Sequence, residues 1–287
     1  MKEKANNLLK HEEAEVLIEL EHFLNKKIPA LEHSSSEKFG FKHQNNHVTH
    51  LLLSNCEIEK LPRTIANLRH LEVLHLHRNL LKDLPIELKH LQNLVELSIG
   101  QNPFESLPNW IGTFTNLKKL YLFGLNLTEI PKYIFDLPLT HLALYMNKIE
   151  KIPKDICQLV DLEEFAIGGN QVSQLPNEIC MLPKLNELSA YNNKIETLPE
   201  CIRYLSALEK LVLNHNSLTE LPETLGELKN LSILTLNDNQ IKEIPESIMK
   251  LTSFKTLWVH NNPRLQISAE TEEFLTQMIA SGANIKF

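Results

Sequence analysis

The chain has 287 residues, 43% of them hydrophobic, and a formal net charge of −7. That mild negative balance excludes a general nucleic-acid binder, which would show a basic face. The sequence has no run of about 18 apolar residues, so it offers no membrane-spanning helix.

Residues 1–25 are charged and set Leu9, Val16, Leu17, Leu20, Phe23 and Leu24 at helical spacing. This is an amphipathic helix expected to pack on the element that follows. A helix reserved for a partner or a membrane surface fits less well, because its polar face mixes Glu, His and Lys. The start, from Met1 to Glu13, lacks the apolar stretch and cleavage site of a secretory signal, so a cytoplasmic protein is expected. Residues 28–31 and 34–37 read as linker. Phe39 to His43, a Gln-Asn-Asn turn, and His47 to Leu51 read as a hairpin covering the edge of the first repeat strand.

From Val48 one pattern recurs every 23 residues, Leu-x-x-Leu-x-Leu-x-x-Asn-x-Leu-x-x-Leu-Pro-x-x-Ile-x-x-Leu-x-x. It is whole in residues 185–207, with Leu185, Leu188, Ala190, Asn193, Ile195, Leu198, Pro199, Ile202 and Leu205. Units begin at Val48, Leu71, Leu94, Leu117, Leu139, Leu162, Leu185, Leu208, Leu231 and Phe254, nine full and one partial. A fixed period of this length marks a solenoid whose units stack on their neighbours. The Leu-x-Leu alternation, as in Leu74-His75-Leu76, reads as a short strand with both leucines inward and the residue between them outward. Stacked units predict a parallel sheet of about ten strands.

The ninth position holds Asn79, Asn102, Asn147, Asn170, Asn193, Asn216, Asn239 and Asn262, with Cys56 and Leu125 as its exceptions. An amide there donates to and accepts from buried backbone groups of adjoining turns. Leu-Pro then opens the return limb: proline holds the preceding Leu extended and suits the first position of a helical turn. The Ile and Leu that follow close the core. The limb is wider than a strand, so the sheet is expected on the concave side. The fourth unit is one residue short and lacks its Asn, which predicts a distortion near Leu125 and Pro138.

These residues resemble the leucine-rich repeat family, in its 23-residue Leu-Pro-x-x-Ile type, found in Ras-scaffold and plant Ras-group proteins and in bacterial and archaeal proteins. The resemblance covers about residues 48–265. It implies an α/β fold: a right-handed leucine-rich repeat solenoid, a horseshoe arc with a concave parallel sheet and convex short helical or 3-10 turns. Three segments are expected: an N-terminal cap over 1–47, repeats over 48–265 and a C-terminal cap over 266–287. In the last of these Ser268 is positioned to cap a helix carrying Phe274, Leu275, Met278 and Ile279, which Gly282 would end.

Partner specificity would lie in the outward columns of the sheet. Tyr121, Phe123, Tyr145, Met146 and Tyr191 are expected to project from its middle, and Gly100, Gly124, Gly168 and Gly169 to leave room beside them. Such a surface is how binding hot spots are built. His75, His77 and Arg78, with His50, should converge toward the N-terminal end, as a solvated polar patch first, and as anionic-partner contacts or a metal patch only after that. Trp258 closes the first outward column.

The cysteines Cys56, Cys157, Cys180 and Cys201 are expected as free thiols in a reducing compartment, since no pair flanks the repeats, and not as a zinc site, since nothing matches Cys-x-x-Cys spacing. No phosphate loop, Gly-x-Gly-x-x-Gly or Gly-x-Ser-x-Gly is present, and neither enzyme activity nor a cofactor nor a metal is expected. The expected function is a non-enzymatic, monomeric scaffold or adaptor that binds a protein on the concave face. By the family resemblance a small GTPase or other signalling protein is implied as partner. Rival readings are a sensor holding a peptide or small molecule at the aromatic-glycine centre, and a substrate-recognition module for a separate ubiquitin-type ligase.

Overall fold

The computed structural model describes residues 9–32, 39–251 and 253–287. Linker residues 34–37, and the first eight residues of the N-terminal segment, lie outside these. The chain divides into two compact units: Met1–Leu125 with Asp136–Leu139, and Asn126–Phe135 with Thr140–Phe287. The boundary falls in the short fourth repeat.

The first unit opens with helix α1 (His11–Leu24), which buries Ala14, Val16, Leu17 and Leu20 and leaves Phe23 exposed. Its Lys10 N–H donates to Asn46 O, 3.0 Å, and its Glu19 accepts from the Thr64 hydroxyl in the first return limb. The helix thus packs on the first repeat, as expected. Strands β1 (Phe39–Gln44) and β2 (His47–Leu53) form an antiparallel hairpin. Asn45 and Asn46 make its turn at φ 50° and 64°, the left-handed pair that a two-residue hairpin requires. From β2 the ladder runs parallel through β3 (Val73–His75), β4 (Glu96–Ser98) and β5 (Lys119–Tyr121), in register one repeat apart.

The second unit carries β6 (His141–Ala143), β7 (Glu164–Ala166), β8 (Glu187–Ser189), β9 (Lys210–Val212), β10 (Ile233–Thr235) and β11 (Thr256–Trp258), again parallel. Helix α2 (Ala269–Ala280) follows; Ser268 Oγ accepts from Thr271 N–H at 3.2 Å, and Gly282 beyond it takes φ 99°. Ser268 and Gly282 act as anticipated. A further strand, β12 (Asn284–Lys286), was not anticipated; it extends the ladder beside β11.

Return limbs are 3-10 turns, for example Arg63–Asn67, Asn177–Met181 and Glu200–Tyr204. Each proline sits one residue ahead of its turn, with φ between −60° and −71° and ψ between 133° and 154°. It is therefore an extended cap residue; its carbonyl accepts the first turn bond, as Pro199 O does from Ile202 N–H at 2.9 Å. The strand leucines are inside: Leu74, Leu76, Leu188 and Leu211 have no exposed surface, while His75 and His77 are half-buried. A slip of one residue would reverse this, so the register read from the repeat is correct.

The asparagines form the anticipated ladder. Asn193 Oδ1 accepts from Val172 N–H at 3.0 Å, and its Nδ2 donates to Ile167 O at 3.0 Å and Ala190 O at 3.2 Å. Asn79, Asn102, Asn170, Asn216, Asn239 and Asn262 repeat the arrangement. Asn147 accepts from Leu127 N–H at 3.1 Å and donates to Leu144 O at 2.8 Å. Leu125, where the Asn is missing, is buried and flanked by two left-handed residues, Gly124 at φ 64° and Asn126 at φ 59°.

The cysteine expectation fails. Cys180 and Cys201 are joined in a disulfide, leaving Cys56 and Cys157 free. Cys180 follows the core Ile179 of its limb and Cys201 precedes the core Ile202 of the next. Their Cα atoms are 5.9 Å apart, within the usual disulfide range. A pairing between neighbouring coils follows from stacking and has no signature in linear Cys spacing.

Candidate functional site

The outward face of the strands in the first unit is a hydrogen-bonded polar lattice. His77 Nδ1 lies 3.0 Å from Ser54 Oγ and 2.9 Å from Ser98 Oγ, so one residue each from the preceding and following repeats clasps it. His75 Nε2 is 2.6 Å from Glu96 Oε1. That hydrogen bond holds the Glu96 carboxyl below its ordinary value, outweighing burial, which pushes the other way. His75 and His77 ring centroids are 5.9 Å apart, and His50 Nδ1 is 3.1 Å from Thr49 Oγ1. The histidines therefore gather at one end of the face, as expected, but they are engaged by Glu96 and serines rather than presented as open ligands.

Glu96 belongs to a column that the reading of the repeat passed over. Residues at the position before the first strand leucine also point outward, two residues from the column that holds His75. In the second unit this column makes the Lys210–Glu187 pair at 2.8 Å and the His141–Glu164 pair at 3.2 Å. The same period-two rule that found His75 would have found it.

The next outward column has a backbone role. Arg78, Met146, Asn192, His215, Asp238 and Asn261 all have φ between 50° and 59°, and Gly124 and Gly169 stand at 64° and 65°. Every unit turns left-handed there, just before the ladder asparagine. Gly124 and Gly169 are glycines of that turn, not space kept for a partner. Arg78 Nε donates to Gln101 Oε1, 2.7 Å away in the next repeat, and Met146 is 53% exposed.

The remaining two glycines are also filled from within. A Cβ on Gly100 would meet Phe123 atoms at 2.6–2.8 Å, and one on Gly168 would meet the Tyr191 ring at 2.3–2.7 Å. Phe123 is only 7% exposed, and the His77 ring is near it, ring centroids 5.6 Å apart. It is a packed residue and not the exposed anchor expected. Tyr121 in the first unit and Tyr145 and Tyr191 in the second are half-buried, their remaining surface outward.

At the far end of the second unit Trp258 is half-buried, with Lys286 Nζ of the added strand 4.8 Å from its ring centroid. Trp258 Nε1, Asn237 Oδ1 and His260 Nδ1 are buried atoms with no hydrogen-bond partner among the described residues. Beside them Asp238 accepts from Asn261 Nδ2 at 2.9 Å and Asn237 Nδ2 at 2.6 Å, which lowers its carboxyl pKa. The face thus carries aromatic and thioether surface at Tyr145, Met146 and Tyr191, and half-buried Trp258 and His260 rings at its far end.

Comparison with known proteins agrees with this architecture. A leucine-rich repeat region model matches residues 9–137, and a leucine rich repeat model matches residues 206–263. A stretch of 90 residues is 34% identical to the volume-regulated anion channel subunit LRRC8A of Rattus norvegicus, covering 31% of this chain and 11% of that protein. The chain therefore spans only a small part of the length of such relatives. Among solved structures, a leucine-rich repeat protein of Leptospira interrogans is 34% identical with a TM-score of 0.74, over 80% of this chain and 58% of that one. The plant peptide hormone receptor RGFR1, solved in complex with RGF2, is 26% identical with a TM-score of 0.61, over 77% of this chain and 43% of the receptor. Leucine-rich repeat proteins generally mediate protein–protein interaction. No helix among the described residues is long and apolar enough to cross a membrane. The chain is built of leucine-rich repeats and has their fold.

Proposed function

We propose that this chain is a non-enzymatic protein-interaction module that docks a partner on the outward strand face of its second unit, with Tyr145, Met146 and Tyr191 as anchors. The observation that carries the reading is the half-exposed Tyr145 and Tyr191 beside the exposed Met146. They are large apolar side chains held on rigid backbone, where they bury area at low entropy cost. The Leu-Pro-x-x-Ile form of the repeat, with its resemblance to Ras-scaffold proteins, supports a small GTPase or other signalling protein as the partner. A cytoplasmic, monomeric protein belongs to the same reading.

A second reading has its own support. The half-buried Trp258, Asp238 and His260 keep outward surface side by side, which suits an extended peptide that lies along the strand face. Similarity to a receptor solved with RGF2 points the same way.

The test is affinity capture from the native host with three proteins: wild type, Tyr145→Ala/Tyr191→Ala, and the limb variant Glu223→Lys/Glu246→Lys. A partner identified with wild type is then purified and its affinity measured. The aromatic pair is expected to weaken it by at least ~2 kcal/mol, with the limb variant close to wild type. Normal binding by the aromatic variant together with loss in the limb variant would move the interface to the return limbs. An interaction weakened only by Trp258→Ala or His260→Ala would favour the peptide reading.

A further inference from the structure

In the first unit three side chains from separate elements meet where α1 touches the hairpin. Glu13 comes from the first turn of α1, His47 begins β2, and His70 lies in the segment leading to β3. Their donor atoms all lie within 4.8 Å of one another. Glu13 is 4% exposed, so its charge is out of water and needs compensation. Its Oε2 accepts from Val48 N–H at 2.6 Å. Its Oε1 stands 2.7 Å from His47 Nδ1 and 3.9 Å from His70 Nδ1. The two imidazoles lie against each other with centroids 3.6 Å apart and planes tilted by 31°.

We propose that Glu13, His47 and His70 form a binding site for a divalent transition metal of the zinc class. Two imidazole nitrogens and one carboxylate oxygen are a donor set such ions favour, and a tetrahedral ion bound at ~2.0–2.1 Å holds its ligands roughly 3.3 Å apart. Glu13 Oε1 and His47 Nδ1 would open slightly to reach that spacing, and His70 would close in. The His70 side chain is 53% exposed, so it moves without disturbing the core. The Val48 N–H bond to the other Glu13 oxygen orients the carboxylate, the role an outer-shell partner plays in metal sites. His47 and His70 line an open cleft of about 880 Å³ that Lys10, Thr49 and Glu72 also border, so the fourth coordination position faces solvent. An ion here would tie α1 to the hairpin and the first repeat, clamping the N-terminal cap over the open end of the core.

The probe is the metal itself. The full chain, stripped with chelator, is titrated with Zn²⁺ against a chromophoric competitor, and with Co²⁺ by visible absorption. The expected result is one ion per chain, a d–d spectrum of low coordination number, and a higher Tm in Zn²⁺, since a ligand bound only by the folded chain stabilises it. His70→Ala, half-exposed and so free to fold, should weaken the ion at least about tenfold and abolish the Tm rise. His75→Ala/His77→Ala, outside the site, should change neither. Absence of one-to-one binding by the wild type, or binding that His70→Ala leaves intact, overturns the site.

Discussion

The ring of Tyr191 lies on the backbone of Gly168, one repeat earlier, so close that a Cβ on that glycine would stand 2.3 Å from Tyr191 Cε1. Phe123 sits on Gly100 in the same way. In both cases the aromatic uses its own sheet as a seat, and the surface offered to a partner is what remains above the ring. Gly168→Ala should therefore destabilise the protein by about 1–3 kcal/mol, the cost of overpacking. In a Tyr191→Ala background the same change should cost much less. Denaturant unfolding of the four proteins of this double-mutant cycle checks it; equal costs in both backgrounds would show that the ring does not rest there.

Asn193→Ala should cost about 1–3 kcal/mol, because it strips Val172 N–H of its acceptor and removes one donor each from the carbonyls of Ile167 and Ala190, which Asn170 and Asn216 still serve. Asn193→Asp should also destabilise, since a carboxylate cannot donate to those carbonyls. Equilibrium unfolding in urea measures both; an unchanged midpoint in the alanine variant would remove the ladder from the stability of the repeat.

Glu96 gives a pH prediction. Its carboxyl is held below 4.5, first by the His75 hydrogen bond, with burial opposing it and the charges of His75, Lys119 and His50 adding to it. A carboxyl depressed on folding contributes stability that is fully present above its unfolded value and is lost as pH falls through the folded one. His75→Ala should raise the Glu96 pKa and shrink that acid-side dependence. Carboxyl-carbon NMR titration reads the shift directly; no movement on losing His75 would assign the depression to the lysine and His50 charges instead.

The Cys180–Cys201 bridge closes a loop with a sequence separation of 21, which on chain entropy is worth about 3 kcal/mol. Thiol titration of the unreduced, denatured chain should find two reactive cysteines, Cys56 and Cys157, and reductant should lower the Tm. Four reactive thiols in protein kept under its native redox conditions would restore the reducing-compartment expectation for this pair.

Repeat spacing alone settled the inner half of this molecule. Leu74, Leu76 and their counterparts, the asparagine ladder, the Leu-Pro limbs, the Asn45-Asn46 hairpin and the Ser268 cap were all legible, because each is a local rule of period, torsion or hydrogen bonding repeated along the chain. What only the tertiary structure decided involves residues one or more coils apart. Stacking brings position n against position n + 23 and its strand neighbours, so it determined that Phe123 fills Gly100, that Tyr191 fills Gly168, and that Glu96, 21 residues on, takes His75. It also joined Cys180 to Cys201 and gathered Glu13, His47 and His70 from three elements. A linear pattern states which residues face outward; which of them meet depends on the side-chain volumes and charges of neighbouring coils, and that is decided only when the coils are laid on one another.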